Sequence, residues 1–197
     1  MGTLAAMVDL APVGPDDDVT GEPEPTPAAR LLLDAFDRIA ASVVQSVDGL
    51  DTDQLATRPA PTANSIAWLV WHLTRIQDDH LADAFGHEQV WTAEGWEDRF
   101  GLPFDSATTG YNHSSDQVGA VRVDGSLLVD YHRAVHHRTQ RALRRLEDRD
   151  LDRVVDESWD PPVTLGVRLV SVVTDDLEHV GQAAYVKGLL EEDGREN

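Results

Sequence analysis

Residues 65–86 read SIAWLVWHLTRIQDDHLADAFG, the most apolar helical run in the chain and the one from which the rest can be placed. Ile66, Leu69, Leu73, Ile76 and Leu81 recur at helical spacing, which lines one face of an α-helix with apolar side chains. The pattern predicts a helix from about Asn64 to Phe85, stopped by Gly86. Trp68, Trp71 and His72 lie inside it. A lone histidine amid large apolar neighbours is more often a satisfied core residue than a ligand, unless another helix brings it partners.

Three further helices flank this one. Upstream, Thr26-Pro27 is an N-cap followed by proline at the first helical position, and Leu31, Leu32, Ala35, Ile39, Ser42 and Val43 carry a helix to about Asp48-Gly49. A polar connector with Pro59 and Pro61 separates the two. Downstream, His87 to about Gln117 forms a long connector rich in Trp91, Trp96, Phe100, Phe104 and Tyr111 and broken by Gly95, Gly101, Pro103 and Gly110. Connectors of this length act as functional covers or pack as structured turns, and aromatic plugs sealing one end of a bundle are the expectation here. A third helix is predicted from about Val118 to Leu146, with Val121, Leu128, Tyr131, Val135, Leu143 and Leu146 inward and arginines outward. After the polar stretch Asp150 to Pro162, which contains Trp159, Thr164 can cap a fourth helix reaching about Leu190.

The fold class expected is therefore all-α, a four-helix bundle over residues 26–190 with an aromatic-rich connector between its second and third helices. Residues 1–25 combine acidic residues and prolines with no cation and read as a disordered tail, and the acidic residues 191–197 as a frayed end. At 197 residues one core is the default. With no cysteine, disulfides and thiolate ligands are excluded, so a metal would have to be held by histidine and carboxylate. A net charge of −20 argues against a nucleic-acid partner. No stretch of about 18 apolar residues spans a membrane, and with no cation before Arg30 there is no basic leader, so a cytoplasmic location is expected.

Eight histidines are the feature to explain. His80, His87 and His113 fall at a helix end or in connectors and read as solvated. His132 and His136 share a helix face at four-residue spacing, a geometry that can hold metal, but His137, Arg133, Arg138 and Arg141 crowd that helix with positive charge. The fourth helix offers Asp175 and His179 at the same spacing. A bundle that brought His72 to this pair would assemble two nitrogens and one oxygen. Three protein ligands with an open fourth position is the catalytic pattern for zinc and suits other divalent ions.

The stretches SIAWLVWHLTRIQDDHL, WEDRFGLPFDSATTGYNHSSDQV, YHRAVHHRTQRAL and SWDPPVTLGVRLVSVVTDDLEHVGQAAYVKGLL together resemble DinB-like proteins of the DUF664 type, over roughly Ala28 to Leu190. The chain is similar in kind to mycothiol-dependent maleylpyruvate isomerases and to mycothiol and bacillithiol S-transferases. The resemblance implies a divalent metal held by a histidine of the second helix, His72, and by a pair in the fourth helix just before a Gly-Gln step, which His179 matches through His179-Val180-Gly181-Gln182. The remaining ligand position falls on Asp175, where the family usually shows His or Glu. Aspartate is shorter than glutamate by one methylene, about 1.5 Å of reach. Gly181, inside a helix, carries a cost of up to about 1 kcal/mol and is expected to persist for close packing or access.

The resemblance further implies a low-molecular-weight thiol cosubstrate, a small-molecule substrate and a homodimer. The leading expectation is a thiol S-transferase or isomerase whose divalent ion, zinc first, activates the thiol. Trp68, Arg133, His136 and Trp159, with Arg138, are candidate substrate contacts. The competing expectation is a non-catalytic DinB-like binding or stress-associated domain with a structural or decayed metal site, and a third is a metal-free pocket using Trp68, Trp71 and Trp159.

Overall fold

Thr26 caps the first helix with its own hydroxyl, which accepts the Ala29 N–H at 3.2 Å, and Pro27 fills the first turn, where a missing N–H costs nothing. The computed structural model describes residues 24–196, so all of the expected acidic tail except Glu24 and Pro25 lies outside the described residues. Helix α1 spans Pro27–Val47, α2 Thr52–Ala56 and α3 Ile66–Phe85. Ser65 caps α3 by accepting the Trp68 N–H, and Gly86 ends it in the left-handed conformation (φ 70°), as the apolar run and its terminal glycine predict. The connector then folds into α4 (Val90–Ala93), α5 (Trp96–Phe100) and α6 (Ser115–Ala120), followed by α7 (Gly125–Arg144) and a 3-10 turn at Asp148–Asp152. A short antiparallel ribbon pairs β1 (Val154–Asp156) with β2 (Val163–Thr164), and α8 runs Leu165–Glu196, past the Leu190 end expected.

The four long helices α1, α3, α7 and α8 form the bundle. α3 packs chiefly on α8 and α1 chiefly on α7, with α1–α8 and α3–α7 closing the square, so α7 and α8 sit across a diagonal. Phe36, Ile39, Trp71, Leu73, Leu128, Leu143, Leu169 and Val172 fill the centre, all nearly or wholly buried. Tyr131 of α7 receives the connector's aromatic rings: Trp91, Trp96 and Phe100 lie with centroids 5.2, 5.4 and 5.6 Å from it. The connector is therefore a plug, as its aromatic content predicts. Among the described residues no helix is long and apolar enough to cross a membrane.

Two expectations are corrected. The third helix, read as continuous from Val118, is broken at residues 121–124 between α6 and α7. Val121 and Val123 are buried there while Arg122 and Asp124 are exposed, an alternation of period two that belongs to extended chain rather than helix. Helix α7 restarts at Gly125 because the chain presses against α1: a Cβ there would stand 2.5 Å from Val47 Cγ1. Second, of the two reasons expected for Gly181, close packing is excluded, since a Cβ at that position meets nothing within 4 Å. Gly181→Ala is thus expected to stabilise the fold by about 0.5–1 kcal/mol through helix propensity and a less flexible unfolded chain. A rise in the urea midpoint at unchanged slope would register it.

Candidate metal centre

His72 is buried on α3 and stacks on Trp68, one turn earlier, at 4.5 Å and 16°. Its Nδ1–H donates to the Thr109 carbonyl at 2.6 Å. A carbonyl only accepts, so Nδ1 carries the proton and Nε2 is left with its lone pair. The connector reaches His72 because the next residue is glycine: Gly110 has φ 100°, and a Cβ there would lie 2.6 Å from His72 Nδ1 and 3.0 Å from the Trp71 ring. Gly110→Ala is expected to lever this loop off His72 and destabilise the fold by about 1–3 kcal/mol, read from the thermal midpoint.

On α8 the four-residue spacing of Asp175 and His179 puts them on one face, against α3. His179 Nδ1–H donates to the Asp175 backbone carbonyl at 2.8 Å, which fixes its tautomer as in His72 and frees its Nε2. The two imidazole rings meet edge to face, centroids 4.8 Å apart. Asp175 Oδ2 is buried without a hydrogen-bond partner and lies 3.5 Å from His179 Nδ1. One ligand atom from each of His72, Asp175 and His179 can be chosen so that all lie within 4.8 Å of one another. Ligand atoms about a zinc-sized ion stand about 3.4 Å apart, so the trio is slightly open, and the aspartate does reach the group.

The donor set suits a divalent cation. Burial lowers the His72 pKa below the ordinary histidine value, with nearby His179 adding to the effect and Thr109 and Asp175 opposing it, so the ring is neutral at physiological pH. The unpartnered Asp175 oxygen is a buried acceptor awaiting a cation or donor. Side-chain exposures of 17% for His179 and 33% for Asp175 leave the trio open on one side. Asp176 takes no part: it is wholly buried, and burial, reinforced by the charge of Asp175, raises its pKa well above the carboxylate range.

His113, read as solvated, belongs to this site's wall. It lies between Trp71 and Phe104, centroids 5.7 and 4.7 Å away, and accepts the Trp68 indole N–H at 3.1 Å, while its Nε2 is buried without a partner. His80 is also part-buried, 3.2 Å from Arg168 Nη1. Nothing in local sequence links Trp68 to His113; only the folded connector does.

The other candidate contacts separate. Trp68 lies against both histidines of the trio. Trp159, 66% exposed, lines a cleft of roughly 790 Å³ with His80, Asp83 and Arg168, along the same α3–α8 pair. Arg133 and His136 line a different groove, between α1 and α7, because α7 turns that face to α1 and sits diagonally from α8. There His136 Nε2 meets Asp37 at 3.0 Å and Arg133 pairs with Asp130. His132 beside them is fully buried, with its pKa pushed down to about 3 by burial and by His136. Its unfolded value of about 6.5 is higher, so the unfolded chain binds the proton first, and stability present above about pH 6.5 is lost as pH falls toward 3. Between pH 7 and pH 5 the loss is expected to be on the order of 2 kcal/mol, and His132→Gln should flatten that dependence in urea titrations.

The all-α bundle with a histidine–aspartate–histidine trio between its second and fourth long helices is the arrangement that the resemblance to DinB-like proteins implies. The family model described as Mycothiol-S-transferase matches residues 31–192, and the chain belongs to that family. Among solved structures it is similar to a conserved protein from Enterococcus faecalis, at 30% identity over 81% of this chain and 94% of that chain, with a TM-score of 0.76. No curated protein matches it.

Proposed function

We propose that this protein is a metal-dependent transferase of a low-molecular-weight, mycothiol-type thiol, with a divalent ion, zinc first, held by Nε2 of His72, Nε2 of His179 and the Asp175 carboxylate. The observation that carries this reading is the matched pair of tautomers: both histidines spend Nδ1–H on backbone carbonyls, so both Nε2 lone pairs are free, in a trio whose third member, Asp175, has a buried, unpartnered carboxylate oxygen. Three protein donors leave a coordination position open, the arrangement of catalytic sites. A divalent ion there supplies the Lewis acidity that favours thiolate over thiol at neutral pH.

The chain's own residues provide the rest. Thr109 and the α8 backbone hold the two imidazoles in one orientation each, so little reorganisation is needed at the donor atoms. Trp68 shields one face of His72, and the aromatic plug keeps water from the other end of the connector. A small electrophilic substrate would approach along α3 and α8 from the cleft bearing His80, Trp159 and Arg168. His80 lies eight residues from His72, about 12 Å along the helix. In the transfer, the thiol proton passes to solvent, sulfur forms the bond to carbon, and the leaving group departs with the electron pair of the bond that breaks.

The test is S-conjugation of a low-molecular-weight thiol to an electrophile, before and after chelation. Activity that vanishes on chelation and returns with zinc supports the reading. Undiminished turnover by fully chelated protein contradicts it.

A further inference from the structure

We propose a second ligand site at the far end of the bundle, for a metabolite carrying a compact dianion such as a phosphoryl group or paired carboxylates. Where α3 and α7 end and α8 begins, an open cleft of roughly 640 Å³ is lined by Arg138, Arg141, Arg145 and Arg153. Its volume is that of a small-molecule site. Among the described residues, the one carboxylate in its lining is Asp150. In a chain with net charge −20, even Arg138, Arg141 and Arg153 alone gather cations around one cleft and reverse the local sign.

Helix-end chemistry does not account for the cluster. Arg141 and Arg144 fall in the last turn of α7, where cations offset the negative end of the helix dipole. Arg138 lies a full turn earlier, and Arg153 comes from a different element altogether. Arg138, Arg141 and Arg145 follow one face at i, i+3 and i+7, and like charges at such spacings oppose one another along the helix. Arg153 is held in place by donating from Nη2 to the Ala84 carbonyl at 2.8 Å, while its own carbonyl accepts the Leu165 N–H at 2.8 Å. That pair of bonds fastens it between the end of α3 and the start of α8. Arg138 touches Glu94 at 3.5 Å, the outer limit of a hydrogen bond, with side-chain exposures of 32% and 45%, so an incoming anion competes with a weak, solvated contact.

The floor of the cleft is apolar, from Phe85 and Leu146, and the positive end of α8 opens beside it at Leu165. Low-dielectric walls with one sign of charge focus the field on a small volume. Planar guanidinium forks then offer paired donors to phosphoryl or carboxylate oxygens. Leu165 stands ten residues before Asp175 on α8, about 15 Å along the axis, so this site is separate from the metal centre.

Titration calorimetry of the full chain with inorganic phosphate, pyrophosphate and succinate, at constant ionic strength set with chloride, tests the assignment. The expected result is saturable one-to-one binding of at least one probe with Kd at or below about 1 mM. Arg141→Gln and Arg138→Gln should each weaken it by about tenfold, the loss of one charge-assisted hydrogen-bonding group. His72→Ala should leave it unchanged, which separates this site from anion capture at the metal centre. A preference for the phosphates or for succinate identifies the headgroup, and either supports the site. No saturable binding, equal binding by both arginine variants, or binding lost with His72→Ala overturns it.

Discussion

Alanine in place of His72 or His179 is expected to remove divalent-metal retention and to lower thiol transfer by about 10²-fold or more, since even the groups that only orient metal ligands are worth 10- to 100-fold. The bundle itself should persist. His179 is partly exposed, and although His72→Ala gives up the stack on Trp68 and the bond to Thr109, the apolar core between α3 and α8 remains to hold the helices together. Circular dichroism should therefore change little while metal content and activity fall together. Loss of activity with metal retained would assign the histidines a role other than ligation.

The second large effect lies one turn and a half further along α3. Asp78 is 2% exposed and accepts the Val90 and Trp91 N–H groups at 2.8 Å each and the Tyr131 hydroxyl at 2.9 Å. Wholly buried Arg75 stands 3.8 Å away and donates to the Ser106 and Thr108 carbonyls and to Gln89. Burial raises the Asp78 pKa, and those three hydrogen bonds and Arg75 oppose the rise. Asp78→Ala strands a buried guanidinium and two N–H groups, so a loss of about 3–5 kcal/mol is expected from the denaturant midpoint. Asp78→Asn, which keeps one acceptor, should lose less. Because Arg75 pins Ser106 and Thr108, the same change should also loosen Thr109 over His72 and weaken metal retention.

What could be read in advance was local. Thr26-Pro27, the Gly86 stop and the Thr164 cap depend on residues within a few positions of one another, and each sits where the pattern puts it. The spacing of Asp175 and His179 placed both on one face for the same reason. The all-α bundle follows from those periodicities. The supporting shell did not show itself, because Thr109, Gly110 and His113 meet α3 across dozens of residues, through a connector with no single period. Arg75 and Asp78 were hidden differently: their i, i+3 spacing allows an ion pair, but nothing local shows that both lie inside a helix buried nearly all round. The histidines of α7 looked like a metal pair on spacing alone, and only the packing of α7 against α1 separates them from α8. The break before α7 was legible after all, in the alternation of Val121, Arg122, Val123 and Asp124, and was masked by the stronger helical pattern that follows.

Elemental analysis of protein purified without an affinity tag tests the metal centre most directly. About one divalent ion per chain is the expected result, absent from both His72→Ala and His179→Ala. Wild-type protein that takes up no stoichiometric divalent ion when offered zinc, or variants that hold as much as wild type, would contradict the assignment of His72, Asp175 and His179.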